Sequence, residues 1–151
     1  MNNKLIVQNT IAIDAPISKV WDALVNPAKT KVYMFGCETV SDWKPGGPLL
    51  WQMIHEGKEF VPVKGIVLDI QPNKLLKYTV IDPHAPYADI PENHLNVTYQ
   101  LTEQGGQTTL TVLQDGFETA AEGEKRYKDA YNNGDGWNPI LVQIKKLVEG
   151  N

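Results

Sequence analysis

The stretch of sequence that decides the fold is Gly136-Trp137-Asn138-Pro139-Ile140-Leu141-Val142-Gln143-Ile144-Lys145-Lys146-Leu147-Val148. Its apolar residues recur three or four positions apart, which places them along one face of a helix. Asp135 is predicted to cap the N-terminus of this helix, Pro139 is tolerated in the first turn, and Gly150 follows the last turn. A single apolar stripe needs a surface to cover, so the segments before it are predicted to form the sheet that receives the helix.

The N-terminal part of the chain predicts one strand followed by two short helices. Leu5, Val7, Ile11 and Ile13 lie on one side of an alternating segment, and Asn9 interrupts this apolar side. Ala15-Pro16 then opens a helix whose apolar residues have helical spacing up to Leu24, and Asn26-Pro27 ends it. A second short helix or turn is predicted over residues 28–32.

From Cys37 the pattern is that of strands joined by turns. A short strand ends near Trp43, a hairpin covers residues 49–55 and 60–70, and Gly65 predicts a bulge or bend in its second arm. Further strands are predicted at 76–80, 95–101 and 109–114, and a helix at 119–131. The connection 82–94 is long for a hairpin and contains three prolines.

Several segments resemble the START-like superfamily, also called SRPBCC. They are Ala15-Pro16-Ile17-Ser18-Lys19-Val20-Trp21-Asp22-Ala23-Leu24, Trp43-Lys44-Pro45-Gly46-Gly47, Gly65-Ile66-Val67-Leu68-Asp69-Ile70-Gln71-Pro72, Thr98-Tyr99-Gln100-Leu101-Thr102-Glu103 and Gly136-Trp137. Within the superfamily, they are most similar to the branch named for homology to the activator of the heat-shock-protein-90 ATPase. The resemblance implies an α+β helix-grip fold over residues 1–151 as a single domain. It has a curved antiparallel sheet of about six to seven strands wrapped around a long C-terminal helix, with two short helices after the first strand.

Composition excludes several classes of function. The 151-residue chain has a net charge of -4 and a single arginine, Arg126, which argues against nucleic acid as a partner. No apolar run approaches the roughly 20 residues of a membrane span, and Met1 to Lys4 lead into a strand without the features of a signal peptide, so a cytoplasmic location is expected. The single cysteine, Cys37, is predicted to be a small buried apolar residue.

No catalytic motif or cofactor motif is present in the sequence. The three histidines, His55, His84 and His94, lack the spacing of a zinc site, and neither a Gly-x-Ser-x-Gly elbow nor a phosphate-binding glycine loop occurs. No catalytic residue, metal or cofactor is therefore predicted. Asp82, His84, Asp89 and His94 could converge at the long 82–94 connection, which is expected near the mouth of a pocket.

A curved sheet closed by one helix often leaves an apolar cavity, and a few polar atoms in it orient a ligand. The superfamily includes lipid carriers and polyketide cyclases, so the resemblance predicts the fold of this chain but not its function. The leading hypothesis is binding of an apolar or amphipathic small molecule; the alternatives are a cyclase, dehydratase or hydrolase using the same cavity, and a protein-interaction module resembling a chaperone cofactor. The predicted ligand-binding residues are Trp51, Met53, His55, Tyr78, Tyr99, Val112, Gln114, Trp137, Leu141 and Ile144.

Overall fold

A computed structural model describes residues 5–150 of the chain. It contains seven strands, four helices and two 3-10 turns among these residues. The strands are β1 (Val7–Ile13), β2 (Glu38–Ser41), β3 (Pro48–His55), β4 (Lys58–Gln71), β5 (Leu75–Val80), β6 (Leu95–Gln104) and β7 (Gln107–Asp115). The helices are α1 (Ile17–Val25), α2 (Pro27–Tyr33), α3 (Gly123–Tyr131) and α4 (Asn138–Glu149), and the 3-10 turns are Pro91–Asn93 and Asn132–Gly134.

The seven strands form one antiparallel sheet in the order β1-β7-β6-β5-β4-β3-β2. β1 lies at one edge of the sheet and pairs with β7, with Val7 opposite Gln114 and Ile13 opposite Thr108. The sheet is curved, and its inward-facing side chains form a continuous core with Leu141 and Ile144 of α4, both fully buried. This arrangement confirms the predicted helix-grip fold.

The start of α4 differs from the prediction. The helix begins at Asn138 with Trp137 as its N-cap residue, and no side chain caps it. Asp135 is therefore not the cap. The Asn9 side-chain oxygen in β1 instead accepts a hydrogen bond from the Trp137 backbone N–H at 2.9 Å. Asn9, the polar residue on the apolar side of β1, therefore fixes the start of α4 to the sheet. At the other end Gly150 adopts a left-handed conformation, as predicted.

Close contacts at two glycines explain the start of α3 and an irregularity within β4. The third helix starts at Gly123 and not at residue 119, because Glu122 has a left-handed φ of 52° and a β-carbon at position 123 would overlap the Phe117 carbonyl oxygen. In β4, Gly65 is the point of closest approach to β5, where a β-carbon would overlap the Thr79 carbonyl oxygen. The register shift that accompanies this contact falls two residues later, between Val67 and Asp69.

No helix among residues 5–150 is long and apolar enough to cross a membrane.

Candidate functional site

An apolar cavity of about 360 Å³ lies on the concave side of the sheet, beside the segment that follows α2. Strands β3 to β6 supply most of its wall, and Trp137 supplies the side next to α4. The lining residues are Met34, Phe35, Cys37, Trp51, Met53, Pro62, Val63, Tyr78, Val80, Val97 and Trp137. Since successive strand residues face opposite sides of a sheet, the lining residues of β5 alternate with residues of the convex face.

A chain of aromatic rings runs from the cavity into the core. Trp51 lies 5.9 Å from Tyr78, Tyr78 lies 6.2 Å from Tyr99, and Tyr99 meets the Trp137 ring edge-on at 6.1 Å between ring centroids. These separations are within the range of favourable aromatic pairs. The rings therefore form one packed wall, in which Tyr99 lies behind Tyr78 and Trp137 and does not itself line the cavity.

The Trp137 ring is held in place by two polar side chains from the first and last strands. Its indole N–H donates to the Gln114 side-chain oxygen of β7 at 2.9 Å, while its backbone N–H donates to Asn9 of β1. Gln114 is only 8% exposed, so this hydrogen bond also satisfies a buried polar group. The edge of the cavity next to α4 is consequently a fixed surface.

Three buried tyrosines differ in how their hydroxyls are satisfied. The Tyr33 hydroxyl donates to the Ala23 carbonyl oxygen at 2.7 Å, whereas the Tyr99 hydroxyl is buried and has no hydrogen-bond partner among the described residues. Burial raises the pKa of Tyr33, Tyr78 and Tyr99, and for the first two the neighbouring phenols raise it further. Because their pKa values lie above the ordinary value near 10, these phenols are protonated at neutral pH.

The mouth of the cavity is bordered by Phe35, a residue that is 79% exposed. Its backbone has a left-handed φ of 55°, a conformation that is uncommon for a bulky residue and often accompanies functional positions. Cys37, two residues later, lines the interior and is buried, and desolvation raises the pKa of its thiol. The short segment after α2 thus supplies both an exposed rim and part of the buried wall.

The structure separates the ten predicted site residues into three groups. Trp51, Met53, Tyr78 and Trp137 line the cavity. Tyr99, Val112, Gln114, Leu141 and Ile144 are buried behind this lining. His55 is exposed at the end of β3, where its ring lies 5.7 Å from Phe60, and it is not among the residues that line the cavity.

Sequence reasoning missed part of the wall. Val80 lies on the same face of β5 as Tyr78, and Val97 lies on the same face of β6 as Tyr99. The alternating pattern of the sequence could therefore have predicted both as lining residues. Met34 and Phe35 follow a helix and precede a strand, where neither the helical nor the alternating period applies. No pattern in the sequence could have identified them.

The long connection between β5 and β6 lies away from this cavity. It was expected near the pocket mouth, but none of residues 82–94 lines the cavity. His84 stacks on Phe60 at 4.9 Å, and its Nε2 contacts the Val61 carbonyl oxygen at 3.1 Å. Asp89 and His94 do meet, at 2.7 Å, but on the convex side of the sheet.

Comparison with known structures shows the same fold in bacterial proteins. The solution structure of ChR145 from Cytophaga hutchinsonii is 39% identical; the match covers 99% of this chain and 97% of that chain, with a TM-score of 0.76. The crystal structure of NE0264 from Nitrosomonas europaea is 18% identical, with coverages of 99% and 97% and a TM-score of 0.73. CalU16 from Micromonospora echinospora is 20% identical, with coverages of 95% and 75% and a TM-score of 0.67.

A family model described as "Activator of Hsp90 ATPase homolog 1-like protein" matches residues 14–149. The match extends from the residue after β1 to the end of α4 and so includes every residue that lines the cavity. No curated protein matches the chain.

Proposed function

The chain belongs to the family of Activator of Hsp90 ATPase homolog 1-like proteins, and on that premise we propose that its concave cavity binds one apolar or amphipathic small molecule. The observation that carries the proposal is the cavity itself. Its volume of about 360 Å³ is within the usual range of ligand pockets, roughly 300–1,000 Å³, and its wall is built almost entirely from apolar and aromatic side chains.

The size of the cavity sets the affinity that such a ligand can reach. Burying ~200 Å² of apolar ligand surface contributes roughly 5 kcal/mol at about 25 cal/mol/Å², before the costs of association. Micromolar affinity corresponds to about 8 kcal/mol. An entirely apolar ligand of this size would therefore bind more weakly than a micromolar one, which favours a ligand that also carries a polar group.

The buried Tyr99 hydroxyl is the group that such a ligand could use. It lacks a hydrogen-bond partner among residues 5–150, and a buried polar group left in this state costs about 1 to 3 kcal/mol. The Tyr99 ring packs directly against Tyr78 and Trp137, two residues of the cavity wall. In this proposal a polar group of the ligand reaches the hydroxyl by displacing one of these two rings, because Tyr99 lies behind them and does not line the cavity.

The direct test is a titration with a hydrophobic dye and a series of fatty acids, followed by quenching of tryptophan fluorescence. Trp51 and Trp137 line the cavity, so a bound molecule lies against both indoles. We expect one binding site of micromolar affinity. Val63→Phe should weaken it at least ~10-fold, because the larger side chain fills the cavity.

Val40→Phe is the matched control, since Val40 is 46% exposed and does not line the cavity. Equal binding by both variants would place the probe elsewhere and contradict the proposal. If no probe binds saturably, the protein-interaction alternative gains support from Val32 and Phe35, exposed by 56% and 79% at the same end of the molecule. That alternative predicts a stable complex with a protein partner, lost on Phe35→Ser.

A further inference from the structure

A second groove, of about 560 Å³, lies on the convex face of the sheet and is separate from the proposed ligand cavity. One wall is apolar and consists of Leu50, Ile66 and Leu68. The other wall is polar and is formed where the connection between β5 and β6 folds back over the sheet. Thr79 and His94 meet at this wall.

Three side chains at the polar wall form a hydrogen-bonded relay. The Thr79 hydroxyl oxygen lies 2.7 Å from His94 Nδ1, and His94 Nε2 lies 2.7 Å from Asp89 Oδ1. The His94 side chain is only 9% exposed, and Lys64 Nζ contacts the second carboxylate oxygen of Asp89 at 2.5 Å. A nucleophile within hydrogen-bond reach of a base, itself oriented by a third group, is the general arrangement of a base-activated nucleophile.

The neighbouring groups determine the direction of each hydrogen bond. The Asp89 carboxylate can only accept, so His94 Nε2 carries a proton, and in the neutral form of the ring Nδ1 then presents its lone pair to Thr79. The Ile66 backbone N–H donates to the Thr79 hydroxyl oxygen at 3.0 Å. The hydroxyl proton of Thr79 therefore points to His94 Nδ1, the orientation needed for its removal.

The glycine at position 65 keeps the Thr79 hydroxyl open to the groove. A β-carbon there would lie 3.1 Å from the Thr79 hydroxyl oxygen and would overlap the Thr79 carbonyl oxygen. Gly65 and Thr79 both line the groove, as does Asn96. The Asn96 side-chain amide donates one N–H to Asp115 at 3.0 Å and carries a second N–H, which could stabilise a developing oxyanion.

The geometry points to a second active site in which Thr79 and His94 are catalytic residues and Asp89 is a positioning residue, hydrolysing esters of short apolar carboxylic acids. The apolar wall of Leu50, Ile66 and Leu68 would hold the acyl chain. None of the described residues lines both this groove and the concave cavity, so this activity does not rest on ligand binding in the cavity.

The reaction proceeds in two balanced steps. The Thr79 hydroxyl oxygen bonds to the ester carbonyl carbon while its proton passes to His94 Nδ1; the bond to the alcohol oxygen then breaks, and that oxygen takes the proton from His94. Water next attacks the acyl carbon and gives a proton to His94, and the Thr79 oxygen leaves and takes this proton back. The sum is ester plus water to acid plus alcohol.

The experiment uses p-nitrophenyl acetate, butyrate and octanoate with the full chain, followed by mass spectrometry of the quenched protein. We expect an acyl group mapped to Thr79 and faster turnover of butyrate than of acetate. Thr79→Val and His94→Gln should each lower turnover at least ~100-fold, the usual minimum for removing such a group. Thr79→Ser keeps a hydroxyl group at this position, so its turnover should stay within ~10-fold of that of the unmodified protein.

Asp89→Asn distinguishes positioning from a purely structural role. It should lower kcat with little change in KM, because the amide no longer fixes the His94 tautomer. Thr98→Val on the neighbouring strand and His84→Gln in the same connection are matched controls and should leave turnover unchanged. An acyl group on any residue other than Thr79, no turnover by the unmodified protein, or equal turnover by Thr79→Val and the unmodified protein would overturn the proposal.

Discussion

At the scale of residues, the hydroxyls of Tyr33 and Tyr99 are both buried, but within residues 5–150 only the first has a hydrogen-bond partner. Tyr33→Phe should therefore lower the free energy of unfolding by about 1 kcal/mol, the usual net value of one hydrogen bond. Tyr99→Phe should leave it unchanged or raise it by up to about 1 kcal/mol, because it removes an unpaired polar group. Urea unfolding of the two variants measures the difference, and an equal loss in both would contradict the unpaired state of Tyr99.

The three buried phenols also predict how stability depends on alkaline pH. Burial raises the pKa of Tyr33, Tyr78 and Tyr99 in the folded protein, so the unfolded chain loses these protons first, near pH 10. Above that pH the folded state binds more protons than the unfolded state. The free energy of unfolding should then fall by up to ~1.4 kcal/mol per pH unit for each tyrosine, and these groups should contribute no pH dependence below about pH 9.

Urea unfolding between about pH 7 and pH 11 measures this slope. Tyr33→Phe is the control, since it removes one of the three buried phenols and should reduce their joint contribution to the slope by about a third. Absorbance of the phenolate provides a second readout, in which Tyr33, Tyr78 and Tyr99 should titrate only as the protein unfolds. A full phenolate signal from the folded protein near pH 10 would contradict the raised pKa values.

The sequence identified part of the candidate site because burial follows the period of a strand. Trp51, Tyr78 and the apolar side of α4 could be predicted from alternation and helical spacing. His55 has the same alternation as Trp51, but a register shift in the β3–β4 pairing falls between Trp51 and Met53, and His55 lies exposed at the end of β3 next to the turn. Phe35 lies outside both periods, so its place at the cavity mouth depends on tertiary structure alone.

At the scale of elements, β4 and β5 can approach each other only because residue 65 has no side chain. Gly65→Ala should lower the free energy of unfolding by several kcal/mol, about 4 or more, because a β-carbon would overlap the Thr79 backbone carbonyl. Gly47→Ala is the matched control. Its β-carbon would meet mainly the Asp42 side chain, which can move away, so the expected loss is below about 2 kcal/mol.

Thermal unfolding of the two alanine variants makes the comparison. Equal losses would mean that β4 can move away from β5 at no cost and would contradict the close approach at position 65. Both glycines have φ angles outside the left-handed region, so neither substitution is penalised by backbone conformation. The difference between the variants therefore reports the overlap of the added β-carbon with the Thr79 carbonyl oxygen, against the milder contact at position 47 with the Lys44 carbonyl oxygen at 3.0 Å.

Element types were predictable from the sequence, but some of their ends were not. The seven strands of residues 5–150 and the helices α1, α3 and α4 were predicted from local patterns, and α2 was predicted as a short helix or turn. The start of α3, in contrast, depends on Gly123 packing against Phe117, more than one turn earlier. The start of α4 depends likewise on Asn9, which lies 128 residues away from Trp137. A contact of that separation leaves no pattern in the neighbouring sequence, which is why the local pattern wrongly predicts Asp135 as the cap.

At the scale of the whole molecule, the order of strands predicts a gradient of local stability. β6 is paired on both sides, with β5 and β7, whereas β2 has four residues at the sheet edge and pairs only with β3. Amide hydrogens of β6 should exchange at rates set by global unfolding, and those of β2 through local opening, at least ~100-fold faster. Hydrogen exchange followed by NMR measures both, and equal protection would mean that the sheet opens only as a unit.

The pairing of β1 with β7 has a consequence for synthesis on the ribosome. Thr10 and Thr111 lie side by side in the sheet but 101 residues apart in the chain. At about 5–20 residues per second, translation leaves β1 without its partner for roughly 5–20 s. During that interval Val7 and Ile13, buried in the finished fold, lie on a strand whose hydrogen-bonding edge is open to other nascent chains. Substitutions that make β1 more apolar should therefore reduce the yield of folded protein during translation while leaving the stability of the finished molecule nearly unchanged.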